Sequence, residues 1–396
     1  MSHPHDDPAG AVLARARALC EDMTFAEVRA WKGANPGRLV IGHMPIYSPR
    51  PLLEALGCLP IAIHGGGDQL EIIRGDSYFQ SYICHIPRST IELAVSGRLD
   101  AFDGMLFPSI CDVIRNLGGM WQMLFPEKYS AYLDLPQNFD MAVGGRFYAQ
   151  ELRRIAGELT ARGASALDQA RLRDAIRDEN ARRAALRALD EVRVETPWLI
   201  RASEAYVAAR AGGLMLAREH TALLQELVAR VKERDAQPYD NVRVVVTGSF
   251  CEQPPLDLIV ALEKAGCDIV DDDFMLGLRM IEGDIDEERP SGDLLDALAA
   301  AYLERGAATA SRYIGAGENG AALLQKVKDC RADGVVFAAA SFCDPALLDQ
   351  PMLEAALGAA GVPFTSFKFA ENTGQFQVIR EQAGAFSDSV KLWGAA

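Results

Sequence analysis

Eight cysteines lie in this chain of 396 residues, and two of them end a phrase that occurs twice. Asp103-Gly104-Met105-Leu106-Phe107-Pro108-Ser109-Ile110-Cys111-Asp112 is echoed by Asp333-Gly334-Val335-Val336-Phe337-Ala338-Ala339-Ala340-Ser341-Phe342-Cys343-Asp344. Each copy reads as an Asp-Gly turn, a short apolar run, a small residue and Cys-Asp. A short apolar run bounded by turn signals predicts a buried strand. Cys111 and Cys343 then sit just past the carboxyl ends of two strands, where open α/β sheets bind ligands.

Cys84 precedes Pro87-Arg88-Ser89-Thr90 and so stands at the entrance of a predicted helix. A helix N-terminus stabilises a thiolate, the form that ligates metals. Cys251 follows the first strand of the second half, again at a carboxyl end. No CxxC pair occurs, so zinc-ribbon and ferredoxin-type motifs are absent. Dispersed thiols can converge in space, and spacing alone leaves both a metal or cluster site and plain core packing open. Cys84 lies 20 residues before Gly104, whereas the residue 20 before Gly334 is Ile314. The duplication therefore offers three thiols, Cys84, Cys111 and Cys343, with Cys251 as an alternative ligand. Three thiolates on a [4Fe–4S] cluster leave one iron open for substrate contact or electron transfer. Cys20, Cys58, Cys267 and Cys330 read as packed core thiols.

Other candidates are weaker. Gly315-Ala316-Gly317-Glu318-Asn319-Gly320 has the spacing of a dinucleotide fingerprint, but no strand precedes it and Glu318 is set against a pyrophosphate. Gly65-Gly66-Gly67 follows a predicted strand, where an anion cradle and a flexible loop are both open. Asp271-Asp272-Asp273 reads as turn and helix capping before it reads as a Mg²⁺ site. The chain contains no GxxxxGK[ST], no GxSxG and no HExxH.

The elements that must position the thiols repeat as well. A strand over 39–47, a Pro-led helix from Pro51, Gly57-Cys58 and a strand over 59–63 open the first half. A strand over 242–247, Pro254-Pro255, a helix through Lys264, Gly266-Cys267 and a strand from Ile269 open the second. Proline at a helix start and glycine at its end are the expected asymmetry. Final strands are predicted over 131–135 and 363–367. Alternating strands and helices imply parallel sheets with right-handed crossovers. The fold class is therefore α/β: two Rossmann-like, doubly wound parallel-sheet domains of similar topology plus a helical insert or lid. The predicted division is an N-terminal helical segment (1–38), a first α/β domain (39–145), a helical insert (146–236) and a second α/β domain (237–396). The insert is rich in Ala, Arg, Glu and Leu, with a predicted cap box at Ser165 and Asp168, and reads as a solvated face. Pro197 and Gly212-Gly213 are its predicted breaks.

Composition bounds the partners. The chain is 49% hydrophobic and 24% charged, with a formal net charge of −15. That charge argues against nucleic acid and requires any anionic substrate to find a local basic pocket. No apolar run approaches the roughly 18 residues of a membrane helix, and the polar N-terminus lacks the features of a signal peptide. The expected location is cytoplasmic, with reduced thiols.

Three stretches carry a family resemblance: Gly65-Gly66-Gly67-Asp68-Gln69-Leu70-Glu71; Tyr82-Ile83-Cys84-His85-Ile86-Pro87-Arg88-Ser89; and Gly104 through Cys111-Asp112-Val113-Ile114-Arg115-Asn116. With Gly248-Ser249-Phe250-Cys251-Glu252-Gln253-Pro254-Pro255 and Val270 through Gly277, they resemble the 2-hydroxyacyl-CoA dehydratase family. Within it they are most similar to the gamma-type subunits of ATP-dependent (class I) benzoyl-CoA reductases. The resemblance implies one [4Fe–4S] cluster per subunit, held by Cys84, Cys111 and Cys343. It implies an oxidoreductase that passes low-potential single electrons from ferredoxin and dearomatises benzoyl-CoA to a cyclic dienoyl-CoA. It also implies a homologous sister subunit and ATP-hydrolysing activase subunits with another [4Fe–4S] cluster. ATP and Mg²⁺ belong to those partners, in keeping with the missing phosphate-binding loop. Two alternatives stay open: a 2-hydroxyacyl-CoA dehydratase subunit, and an electron relay beside a substrate-binding sister. Many relatives carry an acidic residue at the start of the first crossover helix; Pro51 stands there, so no acid–base role is carried over and the catalytic residues are unassigned.

Overall fold

The computed structural model describes residues 7–66, 69–248, 254–274, 280–289, 293–312, 318–370 and 376–393. Helices α1 (Gly10–Glu21) and α2 (Ala26–Ala34) lead into the first half. That half holds β1 (Val40–His43), α3 (Arg50–Ala55), β2 (Leu59–Ala62), α4 (His85–Val95), β3 (Gly104–Pro108), α5 (Asp112–Leu124) and β4 (Tyr129–Leu133). Four long helices follow: α6 (Arg146–Ala161), α7 (Gln169–Glu195), α8 (Ala202–Ala211) and α9 (Ala217–Val231). The second half holds β5 (Val242–Thr247), α10 (Leu256–Lys264), β6 (Cys267–Asp272), α11 (Leu294–Arg305), α12 (Glu318–Asp329), β7 (Gly334–Ala340), α13 (Asp344–Ala359), β8 (Phe364–Phe369) and α14 (Phe376–Trp393).

The strands form two four-stranded parallel sheets of the same order, β2-β1-β3-β4 and β6-β5-β7-β8. The two doubly wound α/β halves expected from the repeat are present. Central strands β1, β3 and β7 are buried at every residue, as a parallel sheet covered on both faces requires. The edge strands β4 and β8 alternate between more and less exposed residues, as strands with one open face do.

The doubled phrase has the same structural meaning in both sheets. Asp103 Oδ2 accepts the backbone N–H of Val40 at 2.7 Å, and Asp333 Oδ2 accepts that of Arg243 at 2.8 Å. Each aspartate thus pins the start of the neighbouring strand. The glycines that follow have no room for a side chain: a Cβ on Gly104 meets Tyr129 O at 2.6 Å, and one on Gly334 meets Pro363 O at 2.9 Å. At the other end, the N–H groups of Ser109 and Ser341 donate to Leu133 O (2.9 Å) and Phe369 O (2.7 Å), closing the ladder to the edge strand. Two residues later stands the cysteine.

Three expectations change. The first strand stops at His43 rather than running to Tyr47, because Pro45 removes a ladder donor and Tyr47 takes a left-handed φ of 64°. Asp168, not Ser165, caps α7: its Oδ1 accepts from Arg171 N at 2.9 Å, while Ser165 N donates to Leu56 O. The helical stretch is also not a solvated face. Helix α7 packs on α3 of the first half and on β6 of the second. Its Glu179, Arg182, Arg183 and Arg193 are buried. Arg193 Nη2 reaches Asp272 Oδ2 at 2.6 Å, so long arginine stems lie in the interior where their heads find partners.

Candidate functional site

Cys84, Cys111 and Cys343 occupy one structural position three times: each is the N-cap of a helix, α4, α5 and α13 respectively. All three line a single small pocket between the carboxyl ends of the two sheets. The rest of the lining is mostly apolar, with Met44, Ile86, Ile110 and Phe342 prominent. Asp112 and Asp344, the residues after two of the cysteines, complete it at the first turns of their helices.

The half-chains are tied together beside this cavity. Ser311 Oγ donates to Ile110 O at 2.7 Å, and Gln137 Nε2 donates to Ser311 O at 3.2 Å. The Tyr47 and Thr309 hydroxyls meet at 2.5 Å. Both walls are therefore fixed relative to each other by polar contacts that cross the seam.

Burial pushes the Cys111 thiol up to about 11, and nearby Cys343 adds to the effect. Against this, the backbone N–H groups of Ile114 and Val113 at the start of α5 favour the charged form. Burial and the helix N-terminus thus act on this thiol in opposite directions, and burial prevails. Cys58 and Cys267, pushed to about 12 by burial, lack such a setting and are buried beside strand starts. Among the described residues no three His, Cys, Asp or Glu side chains gather closely enough to hold one metal ion.

The position that the sequence sets against Cys84 in the second half is Ile314. No thiol stands there by sequence. Cys251, Ile314 and the first part of the Gly315–Gly320 run lie outside the described residues. The other motifs are structural. Gly65 has φ +73° and a Cβ there meets Ser89 Oγ at 2.3 Å, so the described part of the triple glycine serves a turn and close packing against α4. The aspartate triplet is spent on the fold: Asp271 on Lys326 (3.3 Å), Asp272 on Arg193, and Asp273 on Thr247 Oγ1 (2.9 Å) and Gly248 N (2.6 Å).

Sequence reasoning missed Phe342. It lies between Ser341 and Cys343, is half exposed, and adopts a left-handed φ of 68°. An aromatic residue in that region is strained by about 1–2 kcal/mol. The only sequence signal was a large residue in the turn before Cys343.

Between residues 45 and 390 the chain matches the family described as 2-hydroxyglutaryl-CoA dehydratase, D-component. It is 47% identical over 383 residues to the C-type subunit of benzoyl-CoA reductase from Thauera aromatica, covering 96% of this chain and 98% of that one. It is 28% identical to lactoyl-CoA dehydratase subunit beta of Anaerotignum propionicum, over 89% of this chain and 92% of that one. Identity is 27% to (R)-2-hydroxyglutaryl-CoA dehydratase subunit beta of Acidaminococcus fermentans, over 89% of this chain and 93% of that one. This chain belongs to the 2-hydroxyglutaryl-CoA dehydratase D-component family.

Proposed function

We propose that this chain is a subunit of an ATP-dependent, ferredoxin-linked benzoyl-CoA reductase, with Cys84, Cys111 and Cys343 holding one [4Fe–4S] cluster. The observation that carries this reading is the meeting of three helix-capping thiols in one apolar cavity between the sheets. The donor set fits. Thiolates are the ligands of iron–sulfur clusters, and a cubane takes each on a separate iron, so the three need not crowd around a single ion. When bound, the cluster supplies low-potential single-electron transfer.

The chain's own residues provide the surroundings for that chemistry. Met44, Ile86 and Ile110 line the pocket with buried apolar side chains. A dry wall solvates added negative charge poorly, which favours a low potential, and it keeps oxidants away from the metal. The Val113 and Ile114 amides orient positive dipoles at the Cys111 sulfur and tune the potential upward against that trend. The seam contacts of Ser311 and Tyr47 hold the two walls at fixed distance, so ligands from both halves stay aligned.

In this reading residues 39–145 and 237–396 form the two walls, and 146–236 the helical part between them. A homologous sister subunit, an ATP-hydrolysing activase with its own cluster, and ferredoxin complete the system. The product is a cyclic dienoyl-CoA. The second reading, a 2-hydroxyacyl-CoA dehydratase subunit, draws on the family description and on the dehydratase beta subunits at 28% and 27% identity. The 47% identity to a benzoyl-CoA reductase subunit favours the first. An anaerobic assay of the reconstituted complex with ATP, reduced ferredoxin and benzoyl-CoA separates them. Formation of the dienoyl-CoA is expected. Dehydration of a 2-hydroxyacyl-CoA with benzoyl-CoA left intact contradicts the proposal. Finding the acyl group against the sister's cluster alone would assign this chain to electron relay.

A further inference from the structure

A second small cavity, with about 30 Å³ of room, lies apart from the thiols between α3, α7 and α11. Its wall includes Ser48 and Arg50 at the start of α3, Glu179, Arg182 and Arg183 of α7, and Tyr302 of α11. Ser48 is 5% exposed, Arg50 3% and Tyr302 2%. Arg50 Nε and Nη1, Ser48 Oγ and the Tyr302 hydroxyl are buried and have no hydrogen-bond partner among the described residues.

The charges do not balance either. Glu179 is taken by Arg182, whose Nε reaches Oε2 at 2.8 Å. Arg183 spends its donors on the carbonyls of Gly283 and Ile281. Arg50 Nη2 donates to Met215 O at 2.7 Å and lies 3.5 Å from Glu54. Asp284, the next carboxylate outward, is paired with Arg187 at 2.9 Å. Counting Glu54, three buried guanidiniums face two carboxylates among the described residues. An excess buried cation with idle donors is costly unless a partner is present. A water could donate to the Ser48 and Tyr302 hydroxyl oxygens, but it would leave the excess charge without a counter-ion. A small anion in this cavity would accept from the donors it reaches and neutralise the excess.

We propose that this cavity binds a small inorganic anion of the halide class, held by Arg50, Ser48 and Tyr302. Because Tyr47 packs its ring edge-on against Tyr302 at 5.6 Å, the bound ion also buttresses the loop that lines the thiol cavity. The proposal is independent of the cluster and of the reaction.

The test uses the purified protein in sodium gluconate, titrated with sodium bromide at constant ionic strength, and crystals grown with bromide as the halide. A bromine anomalous peak within hydrogen-bond reach of Arg50, and a Tm that rises and saturates with bromide, are expected. Arg50→Met should weaken the half-saturation point by about tenfold or more, the loss expected for a charge-assisted donor. Should Arg50→Met fail to fold, the Ser48→Ala, Tyr302→Phe double variant reads the same shift. Water density without an anomalous peak, or a Tm indifferent to the exchange of gluconate for bromide, overturns the proposal.

Discussion

The two halves of this molecule carry the same phrase on the same sheet and use it differently at the last step. At the strand starts they are interchangeable: Asp103 and Asp333 pin a neighbouring N–H, and Gly104 and Gly334 admit a neighbouring backbone. At the strand ends they diverge. Ile110 is 5% exposed and seals the first wall, its carbonyl bonded to Ser311. Phe342, its counterpart, is 50% exposed and backbone-strained. The first half adds Cys84 at a helix entrance, whereas the position matched to it in the second half is Ile314 by sequence. Duplicated architecture thus fixes where Cys111 and Cys343 stand, while the turn between serine and cysteine sets how each wall meets solvent. Strain concentrated at Phe342 marks that turn as shaped for the site rather than for stability.

The comparison can be broken first at the cysteines. Cys111→Ala and Cys343→Ala should each abolish the cluster's visible absorbance and iron content, whereas Cys58→Ala and Cys267→Ala should retain both. A full iron complement in either of the first two removes the equivalence of the walls.

Acid is the next lever, because every histidine lies before residue 221 and the second half has none. Burial, reinforced by Arg50, holds His43 down at about 3; burial, reinforced by Arg182, does the same for His220. His64 is lowered for the same reason, with Arg210 adding to it. These rings stay neutral in the native state but take up protons in the unfolded chain below about pH 6.5. Their contribution is therefore complete above that pH and is lost as pH falls from about 6.5 towards 3. Each ring should cost about 1.4 kcal/mol per pH unit across that window. Thermal melts at stepped pH should show a steep loss below pH 6.5, reduced by a His43→Asn change that keeps the fold.

The turn residues should respond with opposite signs. Ile110→Ala should cost about 2–5 kcal/mol as a buried truncation. Phe342→Gly, which relieves a left-handed φ and removes a half-exposed ring, should be neutral or stabilising by about 1 kcal/mol. Denaturant titration of both variants reads the difference, and equal destabilisation would undo the contrast.

The shared pins should cost less than the Ile110 truncation. Asp103→Ala and Asp333→Ala should each cost about 1–3 kcal/mol by leaving a strand N–H unpaired, with similar falls in Tm.

Much of this was legible in the residues. Apolar runs between Asp-Gly and Cys-Asp gave both central strands, because a parallel strand buried on two faces needs no alternation. Proline and glycine marked α3 and α10. The thiol trio emerged from counting back along each half. The role of α7 was hidden, since Glu179, Arg182, Arg183 and Arg193 look like surface charges until their partners on other segments are known. Phe342 was hidden for a related reason: a backbone angle imposed by the turn leaves no periodic trace. The cavity around Arg50 likewise depends on residues from three distant helices.

The central claim is that Cys84, Cys111 and Cys343 converge on one metal group. Anaerobic crystals measured at the iron edge test it most directly. The account predicts one compact iron peak in the cavity between the sheets, bonded to those three sulfurs. Iron bonded to Cys251 in place of Cys84, or no iron in that cavity, would contradict it.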